Sequence, residues 1–139
     1  MAGIATYSLK YGFESLTINS TQNIKSLNIR NITIAVEIAD TPVSRKQGLS
    51  GRNALGYNQG MLFVYGEPGN YSFWMKDMKF PIDIIWIGKD KRIVDITKNI
   101  SPETFPETFK SAIPAQYVLE LNAGWADNNF IRVDDLVSF

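Results

Sequence analysis

Two acidic residues interrupt otherwise apolar segments, and these are the side chains of this sequence best suited to chemistry. Asp83 lies within a run of isoleucines, and Glu120 lies near the end of a second apolar segment. A carboxyl group among apolar side chains needs a partner or acquires a raised pKa. If the two segments are neighbouring strands, the two acids could converge across a cleft, which is the minimum requirement for hydrolysis of a glycosidic bond. They could equally form a salt bridge with Arg45 or Lys76, and we favour the bridge to Arg45.

Asp83 also has a simpler interpretation. It would then be a structural acid, held by backbone groups or by an ion pair inside a strand that is covered on both sides. Alternation along this strand places Ile82, Ile84 and Trp86 on one face and Asp83 with two further isoleucines on the other.

A second group of candidates surrounds Trp74. A strand through this segment would place Trp74 and Lys76 on one face and Met75 on the other. Tryptophan beside charged groups is typical of ligand sites, where the ring stacks on a sugar or a base, and also of the edge of a core. The sequence leaves both interpretations open. The candidate ligand-binding residues are therefore Arg45, Trp74, Met75, Lys76, Asp83 and Glu120.

The chain contains no cysteine and no histidine. Disulfides, thiolate nucleophiles, zinc sites of Cys and His, and a Ser-His-Asp triad are therefore excluded. Any general acid or base must be a carboxyl group with a raised pKa, or a Lys or Tyr with a lowered one. We predict no cofactor and no metal site.

Charge and hydropathy narrow the range of partners. The 14 basic and 14 acidic residues give a net charge of zero. Such a chain has no electrostatic footprint for nucleic acid. No apolar run is long enough to span a membrane, and residues 1–10 lack the pattern of a signal peptide. The expected partner is a small molecule or a protein.

Short strands must position these residues. Alternating apolar residues predict a hairpin over residues 26–39 that turns near Arg30 and Asn31, followed by a short helix over about residues 42–49. Val43 and Leu49 are expected to pack inward from this helix. Further strands are predicted around GMLFVY, YSFWMKD, PIDIIWIG, RIVDIT, AQYVLELNA and IRVDDLVSF, with one helical turn at GWADNN that ends at Asn128 or Asn129.

Strands at short, regular spacing with one or two short helices predict a mostly β fold, an antiparallel sandwich or barrel. We predict a single β-rich domain over residues 27–139. Residues 1–26 are rich in Ser, Thr, Asn and Gln, and they are interpreted as an N-terminal arm or an extra strand.

Four segments, AVEIADTPVSRKQGLSGR, GMLFVY, FWMKDMKFPIDIIWI and YVLELNAG, occur in this order. In their order and spacing the chain resembles the family known as domain of unknown function 192, from about Leu27 to Phe139. The family's recurring features fall on Arg45, Gly48-Leu49, Gly60 to Phe63, Phe73 to Lys76, Asp83, and Leu119-Glu120 with Gly124. One departure is visible: this chain has Asp77-Met78 where the family usually has Asn-Thr, which removes a hydroxyl and adds a charge.

The resemblance implies a mostly β domain and supplies no activity. It also implies proteins made with a signal or lipid anchor, so a periplasmic or secreted location is favoured over a cytoplasmic one. The function predicted from the sequence is a non-catalytic module that binds a small ligand or a protein. The alternative is a carboxylate-dependent hydrolase that uses Asp83 and Glu120, with a glycan as its candidate substrate.

Overall fold

The computed structural model describes residues 24–139, which form a seven-stranded sheet, a two-stranded sheet and two short helices. The predicted N-terminal arm lies outside the described residues, except for its last three. The elements are β1 (Ile24–Ile29), β2 (Ile32–Ala39), α1 (Pro42–Gln47), β3 (Gln59–Gly69), β4 (Phe73–Trp74), β5 (Ile82–Ile87), β6 (Ile93–Ile100), a 3-10 turn (Pro102–Thr104), β7 (Thr108–Phe109), β8 (Ala115–Asn122), α2 (Trp125–Asn128) and β9 (Val137–Ser138).

The large sheet has the strand order β6-β5-β8-β3-β2-β1-β9, and β4 pairs with β7 in the small sheet. The prediction of a mostly β fold is confirmed. One pair departs from the antiparallel arrangement, because β2 and β3 run parallel. Parallel neighbours need a crossover connection, and here α1 and the loop that follows it supply one.

The sheet curls until the segment before β9 reaches the first residues of β6. The Ile93 amide donates to the Asp135 carbonyl at 3.0 Å, the Asp134 amide to the Ile93 carbonyl at 2.8 Å, and the Val137 amide to the Lys91 carbonyl at 2.8 Å. Because β9 also pairs with β1, the C-terminal segment joins the two edges of the sheet.

Each face of the sheet carries its own hydrophobic cluster. The inner cluster includes Leu62, Ile85, Leu119 and Val137, and α2 closes it with Trp125. The outer cluster includes Met61, Phe63, Ile84, Trp86 and Val118. All six residues of β5 are buried, so the prediction that this strand is covered on both sides is confirmed.

The predicted hairpin and helix are present. Arg30 adopts a φ of 56° at the turn between β1 and β2. Thr41 caps α1, because its hydroxyl accepts from the Ser44 amide at 3.0 Å and the Ser44 hydroxyl accepts from the Thr41 amide at 2.9 Å. Leu49 is buried as predicted. The expectation for Val43 was wrong, since its side chain is 79% exposed.

Three other elements differ from prediction. The strand predicted through residues 71–77 ends at Trp74, because the chain turns and Asp77 takes a φ of 58°. The final strand shrinks to Val137–Ser138, because the residues before it form the bridge between the sheet edges. After α2 the left-handed residue is Phe130, with a φ of 56°, rather than either asparagine.

Candidate functional site

The contacts of Asp83 are those of a structural residue. Its side chain is completely buried. One carboxylate oxygen accepts a hydrogen bond from the Asn99 amide at 2.8 Å, and the other accepts from the Ala126 amide at 2.9 Å. The carboxylate thus ties β6 and α2 to β5. Backbone groups satisfy this acid, so the salt bridge to Arg45 that we favoured was wrong.

Asp83 and Glu120 lie on adjacent strands but on opposite faces of the sheet. In the β5–β8 register, Glu120 is opposite Ile84, while Asp83 is opposite Leu121. Residues directly opposite each other share a face, and successive residues alternate. Glu120 therefore points to the outer face and Asp83 to the inner face. The hydrolase alternative requires both acids in one cleft, and the two acids do not share one.

Glu120 forms the floor of a cleft of about 170 Å³ on the outer face. Its side chain is only 5% exposed. Within residues 24–139, no hydrogen bond or ion pair to its carboxyl group is present. Burial raises the pKa of this carboxyl group from its ordinary value of 4.5 to about 8. At neutral pH the group is therefore a neutral acid that can donate a proton or a hydrogen bond.

The walls of the cleft come from α1 and the outer face of β3. Arg45 Nη1 donates to the Val64 carbonyl at 2.9 Å, and the guanidinium carbon lies 4.9 Å from the centroid of the Tyr65 ring. Burial raises the pKa of Tyr65, although the nearby charge of Arg45 opposes the shift. The Tyr65 phenol is therefore a neutral group beside a fixed cation.

A glycine lets α1 end close to this floor. Gly48 adopts a φ of 48°, in the region that favours glycine. A Cβ added there would lie 3.3 Å from the edge of the Phe63 ring. Phe63 in turn makes an edge-to-face contact with Phe73 of β4, with ring centroids 4.8 Å apart. The rings of Phe63 and Phe73 consequently line the cleft together with α1.

Trp74 stands at the rim of the cleft. Its side chain is 51% exposed, and its ring stacks on Phe105 with centroids 5.1 Å apart and planes at 20°. A second hollow of about 580 Å³ lies beside the cleft and includes Lys76 and Asp77 in its lining. The two spaces share four lining residues and form one groove: Lys46, Gln47, Ser50 and Trp74.

The structure brings together some of the predicted site residues and separates others. Arg45, Trp74 and Glu120 line the cleft, and Lys76 lines the adjoining hollow. Met75 is 2% exposed and belongs to the outer hydrophobic cluster. The Asp83 side chain points to the opposite, inner face of the sheet.

Sequence reasoning missed Tyr65 and Lys46 as lining residues. Tyr65 lies two residues beyond Phe63, so alternation on β3 could have placed both rings on one face. Lys46 follows Arg45 on the helix, but the inward positions predicted for this segment were Val43 and Leu49.

Across residues 24–139, no group of three or more acidic side chains is arranged to hold a metal ion. No helix in this part of the chain is long and apolar enough to cross a membrane.

Comparisons with known proteins agree with the fold. A family model described as DUF192, uncharacterized ACR, matches residues 25–139. A crystal structure described as a candidate transcription regulator from Sinorhizobium meliloti is 31% identical, with a TM-score of 0.81 over 84% of this chain and 94% of that one. A protein of unknown function from Novosphingobium aromaticivorans is also 31% identical, with a TM-score of 0.79 over 84% of this chain and 85% of that one. No curated protein is significantly similar in sequence.

Proposed function

The chain belongs to the DUF192 family, an uncharacterized group, and we propose that it is a non-catalytic module that binds a small ligand. The ligand occupies the cleft between α1 and β4. Glu120 recognises it at the floor and Trp74 covers it at the rim. The binding unit is the single β-rich domain proposed for residues 27–139.

One observation carries this proposal: a buried carboxyl group faces a cleft and has no partner among the described residues. Such groups are concentrated at functional sites, where a ligand completes their bonding. By contrast, Asp83 is equally buried but fully bonded, and it needs no ligand to explain it.

A non-catalytic role is proposed because hydrolysis of a glycosidic bond needs two carboxyl groups, one on each side of the same cleft. Asp83 is turned to the opposite face of the sheet. Among residues 24–139, the lining of the groove contains no second acid beside Glu120, apart from the exposed Asp77 at its outer end.

The Sinorhizobium meliloti neighbour is described as a candidate transcription regulator. For the present chain, a regulatory role would be consistent with sensing a ligand. Direct binding of nucleic acid is not favoured, because its net charge of zero provides no basic footprint.

A thermal-shift screen tests the proposal, using the purified chain with sugars, nucleotides, amino acids, peptidoglycan fragments and divalent cations. A ligand at 100 times its dissociation constant stabilises the folded state by about 2.7 kcal/mol. For a domain of this size we expect a shift in Tm of roughly ten degrees. Glu120→Gln and Trp74→Ala should each reduce the shift.

Glu103→Gln is the matched control, because Glu103 is exposed and lies outside the groove. It should respond to the ligand as the wild type does. A blank screen would contradict the proposal, and so would a ligand whose effect is the same in all three variants.

A further inference from the structure

We propose that the ligand of this cleft is a small zwitterion, such as a free α-amino acid, whose ammonium group binds Glu120 while its carboxylate lies at the cationic mouth. This inference rests on the proposed binding function and specifies its ligand class.

The floor of the cleft suits an ammonium group. The Glu120 carboxyl group is nine-tenths buried or more and faces the cleft without a donor from the described residues. The rings of Phe63, Tyr65 and Phe73 form the wall around it. Aromatic rings attract organic cations, most strongly where water is excluded, and a carboxylate adds the opposite charge. Together they form a site for one amine.

The mouth of the groove suits a carboxylate. Arg45 and Lys46 of α1 both line the cleft, and Lys46 and Lys76 line the adjoining hollow. Arg45 uses one N–H group on the Val64 carbonyl, although a guanidinium carries five. Among the described residues that line the hollow, Asp77 is the one acid. Cationic side chains therefore outnumber acids among the described residues at the mouth of the groove, and this excess favours a ligand with an anionic group.

The charged and titratable groups around Glu120 come from few elements. Helix α1 contributes Arg45 and Lys46, and β3 contributes Tyr65. From β4 the cleft receives only Phe73 and Trp74, which do not titrate. Asp83 of β5 faces the other side of the sheet. Within the described part of the chain no cation is bonded to Glu120, so its carboxyl group remains available to the ammonium group of a ligand.

The size of the cleft limits the ligand to a single small molecule. Its inner volume is about 170 Å³, below the roughly 300–1,000 Å³ of pockets that hold drug-sized ligands. An amino acid backbone fits the inner cleft, and the adjoining hollow leaves room for further atoms.

Binding of a zwitterion has a proton signature. In the free protein the pKa of Glu120 is about 8, so at pH 7 roughly nine in ten molecules carry the proton. An ammonium group beside the carboxyl group lowers that pKa. The proton then leaves to the solvent, and the ammonium faces a carboxylate. A ligand without the amine would accept a hydrogen bond from the neutral acid and release no proton.

Isothermal titration calorimetry at pH 7 tests this, in two buffers with different enthalpies of ionisation. The amino acid probe is leucine. Its analogue 3-methylbutylamine lacks the carboxylate, and its analogue 4-methylpentanoic acid lacks the amine. Corresponding sets follow for the other amino acids that give a thermal shift. We expect each truncated analogue to bind at least about tenfold more weakly, and the amino acid to release about one proton.

Two variants assign the two ends. Glu120→Gln should abolish proton release and remove the preference for the amino acid over the acid analogue. Lys46→Gln should weaken binding of the amino acid and leave binding of the amine analogue unchanged. Glu103→Gln should change the binding of neither compound. Lys46 is exposed, so its variant tests the idea even if Glu120→Gln fails to fold.

The outcomes separate this inference from the proposed function. If no amino acid binds while another class of ligand binds in a Glu120-dependent way, the zwitterion is wrong and the cleft remains a binding site. Equal binding of the acid analogue would also overturn the zwitterion alone. If no ligand of any class binds, both proposals fail.

Discussion

Glu120 and Asp83 show how two buried acids of similar sequence context acquire opposite properties from their surroundings. Both interrupt apolar strands, and both are at most 5% exposed. Asp83 accepts two backbone hydrogen bonds. Glu120 accepts none from the described residues, so burial alone acts on it and raises its pKa to about 8. At the scale of the residue, the hydrogen-bond partners distinguish the two acids.

The raised pKa of Glu120 predicts a loss of stability with increasing pH. Between the unfolded value of 4.5 and the folded value of about 8, the folded state holds a proton that the unfolded state has released. The contribution of Glu120 to the free energy of unfolding is therefore fully present below pH 4.5, and it falls by about 1.4 kcal/mol per pH unit across this window. Glu120→Gln removes this penalty, so it should be more stable than the wild type at pH 8 and not at pH 4.

Urea unfolding followed by tryptophan fluorescence, at several values between pH 4 and pH 9, measures this difference. Glu103→Gln should parallel the wild type throughout. A constant gap between Glu120→Gln and the wild type would contradict the raised pKa.

At this scale the sequence predicted part of the candidate site. Alternation identified Asp83 and Glu120 as acids in apolar strands, and it placed Asp83 on the face opposite Ile84 and Trp86, as the structure does. It could not say how the two strands register against each other, because register is fixed by pairing between distant residues. A shift of one residue in the β5–β8 register would have placed both acids on one face, so only the structure separates them.

At the scale of the element, β3 and β8 form the support of the cleft, and their close approach depends on Gly60. A Cβ added to Gly60 would lie 2.6 Å from the Glu120 carbonyl oxygen and 2.9 Å from a methyl group of Leu121. Side chains do not tolerate such distances, so the strand that carries the floor of the cleft would have to move.

Gly60→Ala should therefore destabilise the protein by about 2 kcal/mol or more, since overpacking forces backbone shifts. Gly66, in the same strand, provides the comparison because nothing lies within 4 Å of its added Cβ. Gly66→Ala should change stability by no more than about 0.5 kcal/mol. Chemical denaturation of both variants measures the difference, and equal effects would show that the close approach is not limiting.

The elements were predictable where local patterns dominate. The hairpin, α1 and β5 follow from alternating β-branched residues and from a capping residue followed by proline. The segment around Trp74 has the composition of a longer strand, yet it pairs only with the two residues of β7. That short pairing comes from the distant loop after β6, which no local pattern reveals.

At the scale of the whole molecule, the curled sheet depends on a few hydrogen bonds between its two edges. The C-terminal segment makes them between Lys91 and Ile93 on one side and residues 134–137 on the other. Val137 anchors this segment, because its side chain is 1% exposed and packs in the inner cluster.

Val137→Ala should lower the free energy of unfolding by about 2 kcal/mol. It should also speed hydrogen exchange at the Ile93 and Asp134 amides more than at Leu119 in the central strand β8, because the edge opens first. Val133→Ala is the control, since Val133 is 54% exposed. Uniform acceleration at all three amides would indicate that the sheet opens only as a unit.

The sheet has two faces with separate hydrophobic clusters, and this arrangement has a consequence for how the protein can change. The inner cluster and its closure hold the curled sheet together, whereas the cleft lies on the outer face. Substitutions at distant sites without shared partners have nearly additive effects on stability. Exposed positions around the cleft can therefore change with little effect on the inner cluster that closes the curled sheet.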